Sequence, residues 1–443
     1  MTTPLRRAGG FAVVGSLCLA APALGRAAAF PFVAVALLAA FVVDEGPLFE
    51  LFARPRDRRE GRLGGLAGFA LAAAGLALLA SLSRPAATMP ATVFVAAVLT
   101  VAYGNLGARL VEETTDDPFH SVAGYAAGAF LAATGGQVAV AASTGTVAGA
   151  VGALPRFAFL SAAAALVAAL LHVLLYVRDD PLVMLSVGFL LWLFEAIAGA
   201  VTPVEVAVAL GVTVALGYVS YGLGTASVPG MLTGVLLGLL TVVLGGLGWF
   251  AVLIAFFAVG GLSAKYRYEE KRSRGVAEGN EGARGTGNVL GNAAVALGAV
   301  IGFAAVPALP VDATLFRFAF AGSVAAAMSD TLSSEIGGLF DRPRLVTTLE
   351  RVDPGTDGGV TWQGTLAGLA GAGLVAAVAT LLLPPGPGLV AAGVVVVAGV
   401  AGMFVDSLLG ATVEGERIGN QAVNFLATLS GAGVCVVLAT VAL

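Results

Sequence analysis

The chain consists of long apolar runs separated by short segments that carry almost all of its charged residues. Within a run the apolar residues follow one another without the alternation of a half-buried strand. About 17 to 25 such residues are enough for a helix to cross a bilayer, and the first two runs are short enough to be one bent span or a re-entrant pair. The fifteen predicted spans are 11–24, 27–43, 63–83, 91–111, 121–143, 155–177, 182–200, 204–221, 230–246, 248–263, 288–306, 313–329, 364–383, 388–405 and 421–442.

The composition narrows the class of protein further. Hydrophobic residues make up 58% of the chain and charged residues 11%, and the mean hydropathy is +0.95. In soluble proteins about a quarter of all residues are charged. A chain as apolar as this one would expose aggregating patches in water. A net charge of -4 leaves no basic surface for nucleic acid. We therefore expect an all-α polytopic integral membrane protein with about 13 to 15 transmembrane helices.

The charged residues gather in a few loops. Arginine-rich segments lie at 54–62, 265–284 and 341–351. With fifteen spans and Arg6 and Arg7 inside, all three segments fall on the cytoplasmic side, where Lys and Arg are enriched. We predict a multi-pass protein of the cell membrane whose main charged loops are cytoplasmic. Polar residues concentrated at one surface favour chemistry on a membrane substrate, whereas a transporter usually needs polar groups along a path across the bilayer.

Two short motifs each occur twice in the second half of the chain. Asp-(Ser/Thr)-Leu appears at 330–332 and 406–408, at the end of runs rich in small residues. Gly-Asn-x-x-x-Asn appears at 287–292 and 419–424, at the start of runs and after charged loops. A spacing of four places both asparagines of a motif on one helix face. The double occurrence of both motifs indicates an internal repeat.

Acidic side chains at the ends of spans are candidates for metal binding. A lone carboxylate in a membrane is costly unless it is paired, solvated or bound to a cation, and Mg²⁺ binds carboxylates together with waters and substrate phosphates. We predict Asp330, Glu335 and Asp406 as catalytic residues and Mg²⁺ ligands. Asp330 and Glu335 are five residues apart and do not share a helix face, so a turn or Asp406 has to complete the set. The alternative is that these acids pair with loop arginines or only mark helix ends.

Glycines and arginines precede the first asparagine motif, between 274 and 288. Glycines let the backbone approach a phosphate, arginines add charge-assisted hydrogen bonds, and a helix start follows. The Gly-Lys-(Ser/Thr) ending of a Walker A loop is absent, and a flexible charged loop is the alternative. The candidate substrate- and nucleotide-binding residues are Arg274, Glu278, Arg284, Asn288, Asn292, Thr347, Asp357, Asn420 and Asn424.

Several motifs in order carry a family resemblance over roughly 195–443; they lie at 265–288, 329–337, 346–348, 354–360, 364–368 and 406–411. This part of the chain resembles the transmembrane protein 19 and plant phytyl-phosphate kinase family. The resemblance implies phosphorylation of a prenyl monophosphate to the diphosphate, with CTP or ATP as the donor. Mg²⁺ is the cofactor inferred from the acidic residues at the span ends. The resemblance also implies that Asp330, Glu335 and Asp406 occupy motif positions. One departure is that Asn288 and Asn292 stand where plant members have serines.

The two halves of the chain differ in this respect. We predict an N-terminal membrane domain at 1–190 and a phytyl-phosphate-kinase-like membrane domain at 191–443. The first half contains Asp44-Glu45-Gly46 and then a glycine-rich start at 64–68, which echoes the order of motifs in the second half. It is either a diverged, inactive copy of the kinase-like unit or the result of drift and convergence on small-residue packing.

Two functions from different classes remain open at the level of the sequence. The first is a lipid-phosphate kinase acting at the cytoplasmic face on a geranylgeranyl- or phytyl-type monophosphate. The second is a transporter or lipid scramblase without nucleotide chemistry, which needs polar residues at mid-bilayer. Glu195, Glu205 and Gln137 are the candidates for that role. Partners are a lipid substrate and the membrane but no nucleic acid, and the oligomeric state is left open.

Overall fold

The computed structural model describes residues 3–83, 88–175, 179–277, 284–383, 388–415 and 417–442. The chain forms two compact units, Met1–Ala207 and Val208–Leu443, whereas the sequence placed a domain boundary at 190/191. The helices that begin in the first unit are α1 (Pro4–Ser16), α2 (Ala21–Leu24), α3 (Phe30–Phe41), α4 (Gly46–Phe52), α5 (Pro55–Glu60), α6 (Gly64–Ala80), α7 (Ala91–Glu112), α8 (Pro118–Thr144), α9 (Val147–Gly152), α10 (Leu154–Leu174), α11 (Asp180–Ile197) and α12 (Pro203–Gly222).

The second unit continues with eight α-helices and a two-stranded hairpin among the described residues. A π-helical turn at Thr241–Gly245 extends the first of these helices. The elements are α13 (Val228–Leu240), α14 (Leu247–Lys265), α15 (Tyr268–Ser273), α16 (Thr286–Ala305), α17 (Ala313–Gly337), β1 (Arg344–Leu345), β2 (Gly359–Val360), α18 (Trp362–Leu382), α19 (Gly388–Gly410) and α20 (Asn420–Ala442).

The structure confirms a polytopic all-α membrane protein. Twelve helices of the described chain are long and apolar enough to cross a bilayer, and a bent pair brings the number to 13. Every predicted span contains a helix, but three of the predicted spans, 27–43, 63–83 and 313–329, are not single straight apolar helices of full length. The pair α3 and α4 is bent by 102°, and α6 has only 17 residues. The third, α17, carries Arg317, Asp330 and Glu335 along its length.

In the first unit, α7 packs against α8, α1 and α11. The contact between α7 and α8 is so close that glycine is required at both surfaces. A Cβ atom at Gly107 would lie 2.2 Å from the carbonyl oxygen of Gly124, and one at Gly128 would lie 2.5 Å from that of Tyr103. Small residues allow this approach because helices in a bilayer associate through close packing.

In the second unit, α17 is the central helix, and α14, α16, α18, α19 and α20 all pack against it. Its middle part is almost completely buried, from Phe320 to Ser329. Small residues again form the contacts: Gly368 lies against Ser329, and Gly402 lies against Ala326. The close packing holds the C-terminal end of α17, which carries the polar motif, between its neighbours.

The hairpin of β1 and β2 connects α17 to α18. Its strands pair antiparallel, with Arg344 opposite Val360 and Leu345 opposite Gly359. Gly358, directly before β2, has a φ of +74°, and an added Cβ would lie 2.5 Å from the Cβ of Ala411. Glycine is therefore needed here both for its positive φ and for the close approach of the hairpin to the C-terminal end of α19.

Candidate functional site

A polar cavity of about 440 Å³ opens in the second unit where several helices end or begin. It lies at the C-terminal ends of α17 and α19 and at the N-terminal ends of α16 and α20, and the hairpin segment contributes to its wall. Helix starts present free backbone N–H groups, so they favour anions. Most of the predicted site residues line this cavity: Arg284, Asn288, Asn292, Asp330, Glu335, Asp357, Asp406, Asn420 and Asn424.

The two Asp-(Ser/Thr)-Leu motifs meet in this cavity. Asp330 on α17 and Asp406 on α19 are close enough for their side chains to interact directly. One carboxylate oxygen of Asp406, Oδ1, is buried without a hydrogen-bond partner, and so is the amide Oδ1 of Asn288. Buried oxygens without a donor are costly, so these two atoms favour a bound cation or a ligand that supplies donors.

The two Gly-Asn-x-x-x-Asn motifs also lie side by side. On α16, Gly291 lies against the backbone of Gln421 and the side chain of Asn424 on α20. Within the first motif, the Asn292 amide donates to the Asn288 carbonyl oxygen at 3.0 Å. The repeat therefore brings a pair of acids and a pair of helix starts to one place.

Glu335 has a partner that the sequence did not indicate. Its carboxylate accepts a hydrogen bond from the ammonium group of Lys271, and both side chains are buried. Lys271 also donates to the carbonyl oxygens of Ser263 and Ala264, at 2.7 and 3.1 Å. The sequence contains only an indirect indication of this partner, because both lysines of the chain lie in the charged segment 265–284. A compact ammonium group can donate to three acceptors at once, as Lys271 does here.

This ion pair changes the interpretation of the predicted metal set. Within the described part of the chain, no group of three His, Cys, Asp or Glu side chains is placed to hold a metal ion. Glu335 is neutralised by Lys271, whereas Asp330 and Asp406 face each other. Because Glu335 is paired with Lys271, Asp330 and Asp406 are the two predicted metal ligands without a cationic partner in the described part of the chain.

Arg284 is buried at the start of α16, between the polar cavity and a second, apolar cavity. Its backbone N–H donates to the Thr225 carbonyl oxygen at 2.9 Å, and its own carbonyl accepts from Ser227 N–H at 3.1 Å. The guanidinium lies over the ring of Phe256, 5.4 Å from the centroid. These contacts fix one positive charge at the boundary between a polar and an apolar space.

The apolar cavity has a volume of about 100 Å³ and lies between α12, α13 and α14. Leu216, Met231 and Phe257 line it, and glycines leave it open. A Cβ atom added at Gly234 would meet nothing within 4 Å, so the cavity has room beside that residue. Because Arg284 lines both cavities, they are neighbouring spaces of opposite character.

Glu414 is a further acid in the polar cavity, and the sequence analysis did not select it. Partial burial raises the pKa of its carboxyl group, and the nearby carboxylates of Asp357 and Asp406 raise it further. The available signal was its place in the charged loop before the second asparagine motif. With Glu335 neutralised, the acids that line the cavity outnumber Arg284, the one arginine among the described lining residues. The cavity therefore favours a cation together with an anion.

Two predicted residues, Arg274 and Thr347, are not brought to the cavity wall. Arg274 instead donates to the carboxylate of Asp341 at 2.6 Å, which fixes the loop after α15 beside the end of α17. Thr347 is exposed, in the loop between β1 and β2. Glu278 lies outside the described residues.

The polar residues considered for a transport path have local partners. Glu195 accepts from Arg156 Nε at 2.8 Å. The Gln137 amide donates to the hydroxyl of Ser161 at 2.8 Å. Glu205 accepts from the Thr202 backbone N–H at 2.9 Å at the start of α12. These contacts stabilise the helices that carry the side chains, whereas the amide Oε1 of Gln137 is buried without a hydrogen-bond partner.

Comparisons with known proteins cover mainly the second unit. The family described as Integral membrane protein DUF92 matches residues 211–432. An uncharacterised membrane protein of Methanocaldococcus jannaschii is 35% identical over 209 residues, which is 46% of this chain and 81% of that protein. An uncharacterised membrane protein of Synechocystis is 34% identical over 198 residues, or 43% of this chain and 74% of that protein.

A plant protein matches the same part of the chain. The Arabidopsis thaliana Protein VTE6, chloroplastic, is 32% identical over 222 residues, which is 48% of this chain and 65% of that protein. No solved structure matches the chain. The comparisons confirm the family resemblance that was inferred from the motifs of the C-terminal half.

Proposed function

Because the chain belongs to the DUF92 family of integral membrane proteins, we propose that it is a membrane-embedded kinase for a prenyl monophosphate. The product would be the prenyl diphosphate, and the phosphoryl donor would be CTP or ATP. The relation to the chloroplastic plant protein and the motif resemblance to the plant phytyl-phosphate kinases support the reaction type. The positive-inside rule supports a site at the cytoplasmic face of the cell membrane.

The observation that carries the proposal is the position of Arg284 between the polar and the apolar cavity. A prenyl phosphate has a charged head and a hydrocarbon chain, so it needs adjoining spaces of these two kinds. Arg284 would bind the phosphate through charge-assisted hydrogen bonds. The apolar cavity would hold the part of the chain nearest to the phosphate, and the N-terminal end of α16 would add its N–H groups.

Mg²⁺ fits the acids of the cavity. Asp330 and Asp406 would provide the one or two carboxylates that this ion takes from proteins, and waters and nucleotide phosphates would complete its coordination. The unpartnered oxygens of Asp406 and Asn288 agree with this interpretation. When bound, Mg²⁺ neutralises the charge of the nucleotide phosphates, which the acidic cavity would otherwise repel.

Besides binding Mg²⁺, the side chains of the cavity would position the two substrates. The attacking group is a phosphate oxygen that is already ionised at neutral pH, so no side chain has to remove its proton. Phosphoryl transfer depends mainly on alignment and on neutralisation of charge. In this proposal Asn292, Asn420 and Asn424 orient polar groups of the substrates, and the hairpin with Asp357 covers the nucleotide side.

The test is a nucleotide-dependent assay with the purified full-length protein in lipid nanodiscs. Geranylgeranyl monophosphate, phytyl monophosphate and the corresponding alcohols are incubated with Mg²⁺ and either CTP or ATP. We expect diphosphate from a monophosphate and no product when Mg²⁺ is chelated. Absence of product with both nucleotides and both chains would overturn the proposal. Movement of prenyl phosphate between leaflets without nucleotide would favour the transporter or scramblase.

A further inference from the structure

A separate cavity of about 300 Å³ lies within the first unit. It is formed by the start of α1, the segment before α5, the C-terminal half of α7 and the start of α11. None of the motifs that carry the family resemblance lies in these elements. The residues lining it are Pro4, Arg7, Ala8, Phe11, Arg54, Pro55, Asn105, Arg109 and Asp180. Among the described residues, three guanidinium groups and one carboxylate therefore line this cavity.

We call this cavity the arginine pocket. Both carboxylate oxygens of its described acid, Asp180, already have partners. Asp180 is buried, and its carboxylate pairs with the guanidinium of Arg54 and accepts from the Asn105 amide at 3.1 Å. Arg54 is also held over the ring of Phe11, 5.2 Å from the centroid. Asp180 therefore serves to orient Arg54 and Asn105 and is not available to neutralise the other two arginines.

Among the three arginines that line the pocket, Arg7 is the one without a counter-ion in the described part of the chain. Within the described ranges it makes no ion pair, and its Nε atom is buried without a hydrogen-bond partner. Its strongest charged neighbours are Arg54, Arg58 and Arg109, and the attraction of Asp57 is weaker than each of these. A buried donor that lacks an acceptor and is surrounded by like charges favours an anionic ligand.

The neighbouring charges have other partners. Arg58 pairs with Glu50 at 2.7 Å, and Arg109 pairs with Glu112. Asp57 is buried and accepts the backbone N–H groups of Arg54 and Gly65, at 2.8 and 3.1 Å. The carboxylates near the arginine pocket are therefore occupied, and the guanidinium of Arg7 is the charge that remains.

We propose that the arginine pocket binds a phosphate group, as the headgroup of an anionic lipid or as a free phosphate. Guanidinium groups bind phosphate oxygens through strong, often bidentate hydrogen bonds. Basic pockets between transmembrane helices bind anionic lipid headgroups. The amide Oδ1 of Asn105 is also buried without a partner, and it would accept from a hydroxyl of the ligand. This site is independent of the kinase proposed for the second unit.

The experiment compares three probes on the purified full-length protein by native mass spectrometry and by titration. The probes are dioleoylphosphatidic acid, dioleoylglycerol with the same chains but no phosphate, and inorganic phosphate. We expect phosphatidic acid to bind and dioleoylglycerol not to bind. Competition by inorganic phosphate would assign recognition to the phosphate alone. Binding of phosphatidic acid without such competition would assign it to the lipid headgroup with its chains.

Arg7→Gln is the test variant, and Arg6→Gln is its matched control. Both remove one arginine from the same helical turn, but Arg6 is exposed and does not line the pocket. We expect Arg7→Gln to weaken phosphatidic acid binding about tenfold or more, because it removes charge-assisted hydrogen bonds to the phosphate. Arg7→Lys should retain part of the affinity, and Arg6→Gln should retain nearly all of it.

A second variant protects the test against a folding defect. Arg109→Gln removes another guanidinium from the lining and should also weaken binding. Size-exclusion profiles and melting curves identify variants that do not fold. The proposal is overturned if neither phosphate probe binds, or if folded Arg7→Gln and Arg109→Gln bind phosphatidic acid as well as the Arg6→Gln control does.

Discussion

The polar cavity of the second unit and the arginine pocket of the first are both built at helix ends, but their charges are opposite. Asp330, Asp406 and Glu414 give the polar cavity an excess of acid around one arginine. Three arginines around Asp180 give the pocket an excess of base. An acidic cavity accepts a phosphate only together with a cation, whereas a basic pocket accepts it directly. Helix ends can therefore serve either a reaction or the binding of a phosphate, depending on the charge of the side chains around them.

The largest effect should come from removing one acid of the polar cavity. Asp330→Asn keeps the shape of the side chain but removes its charge, so we expect phosphoryl transfer to fall by about 10³-fold or more. Asp353→Asn is the matched control, because Asp353 is exposed in the neighbouring hairpin segment and does not line the cavity. The measurement is the initial rate of diphosphate formation. Equal rates in the two variants would contradict a catalytic role for Asp330.

The rate of diphosphate formation also tests whether the arginine pocket and the polar cavity act independently. Arg7→Gln should leave the rate of diphosphate formation unchanged, because Arg7 lines the pocket of the first unit and not the polar cavity. Conversely, Asp330→Asn should not change phosphatidic acid binding. Arg7→Gln should weaken that binding by the same factor whether or not Asp330→Asn is also present. A rate loss in folded Arg7→Gln as large as that in Asp330→Asn would show that the two regions do not act independently.

A second prediction concerns the ion pair that supports the polar cavity. Lys271→Met leaves the carboxylate of Glu335 buried without its cation, and removing one partner of a buried pair costs about 3–5 kcal/mol. The midpoint of thermal unfolding should fall clearly. The double variant Lys271→Met with Glu335→Gln should recover much of that loss, because no unpaired charge remains. If the double variant is no more stable than Lys271→Met, the interaction between the two side chains is not what stabilises the protein.

A third prediction concerns the apolar cavity. Gly234→Leu would fill space that is open in the structure, so we expect KM for geranylgeranyl monophosphate to rise about tenfold. The KM for a short dimethylallyl monophosphate should change less. Gly298→Leu is the control, because it makes the same helix substitution at an exposed position outside both cavities. Equal KM changes for the two variants would exclude chain binding in this cavity.

The smallest effect should be a pH dependence of stability from Glu414. Partial burial, Asp357 and Asp406 raise the pKa of its carboxyl group, so the folded protein binds this proton more tightly than the unfolded chain. Stability therefore increases as the pH falls through the raised pKa. The unfolding midpoint of Glu414→Gln should depend less on pH in that range than the midpoint of the unchanged protein. Parallel pH curves for both proteins would contradict the raised pKa.

Much of the polar cavity could be predicted from the sequence, because several of its residues belong to short motifs. Asp330 and Asp406 were found from a motif that occurs twice, and Asn288 and Asn424 from a second one. Polar residues at the ends of apolar runs stand out, because the bilayer tolerates few of them. Arg274 and Thr347 also lie in polar segments rich in candidate ligands, but they do not line the cavity. The sequence does not show which loop residues fold back over a helix end.

The ion pair of Lys271 and Glu335 could not be read from the sequence. The two residues are 64 positions apart, and a charged loop has many possible partners of equal chemistry. The arginine pocket is a similar case, since Arg7, Arg109 and Asp180 come from three separate segments of the first unit. Their meeting depends on how the helices pack, which small-residue contacts such as that of Gly107 with Gly124 determine.

The membrane class, the approximate positions of the helices and the family of the second half follow from the sequence alone. These properties depend on the length of apolar runs and on short motifs, which act over a few residues. Which charges neutralise one another, and which remain, depends on the folded arrangement of the helices. Arg284 lies between two cavities, Glu335 is satisfied and Arg7 is not. Such differences depend on distances between helices, and electrostatic energies vary steeply with distance and burial.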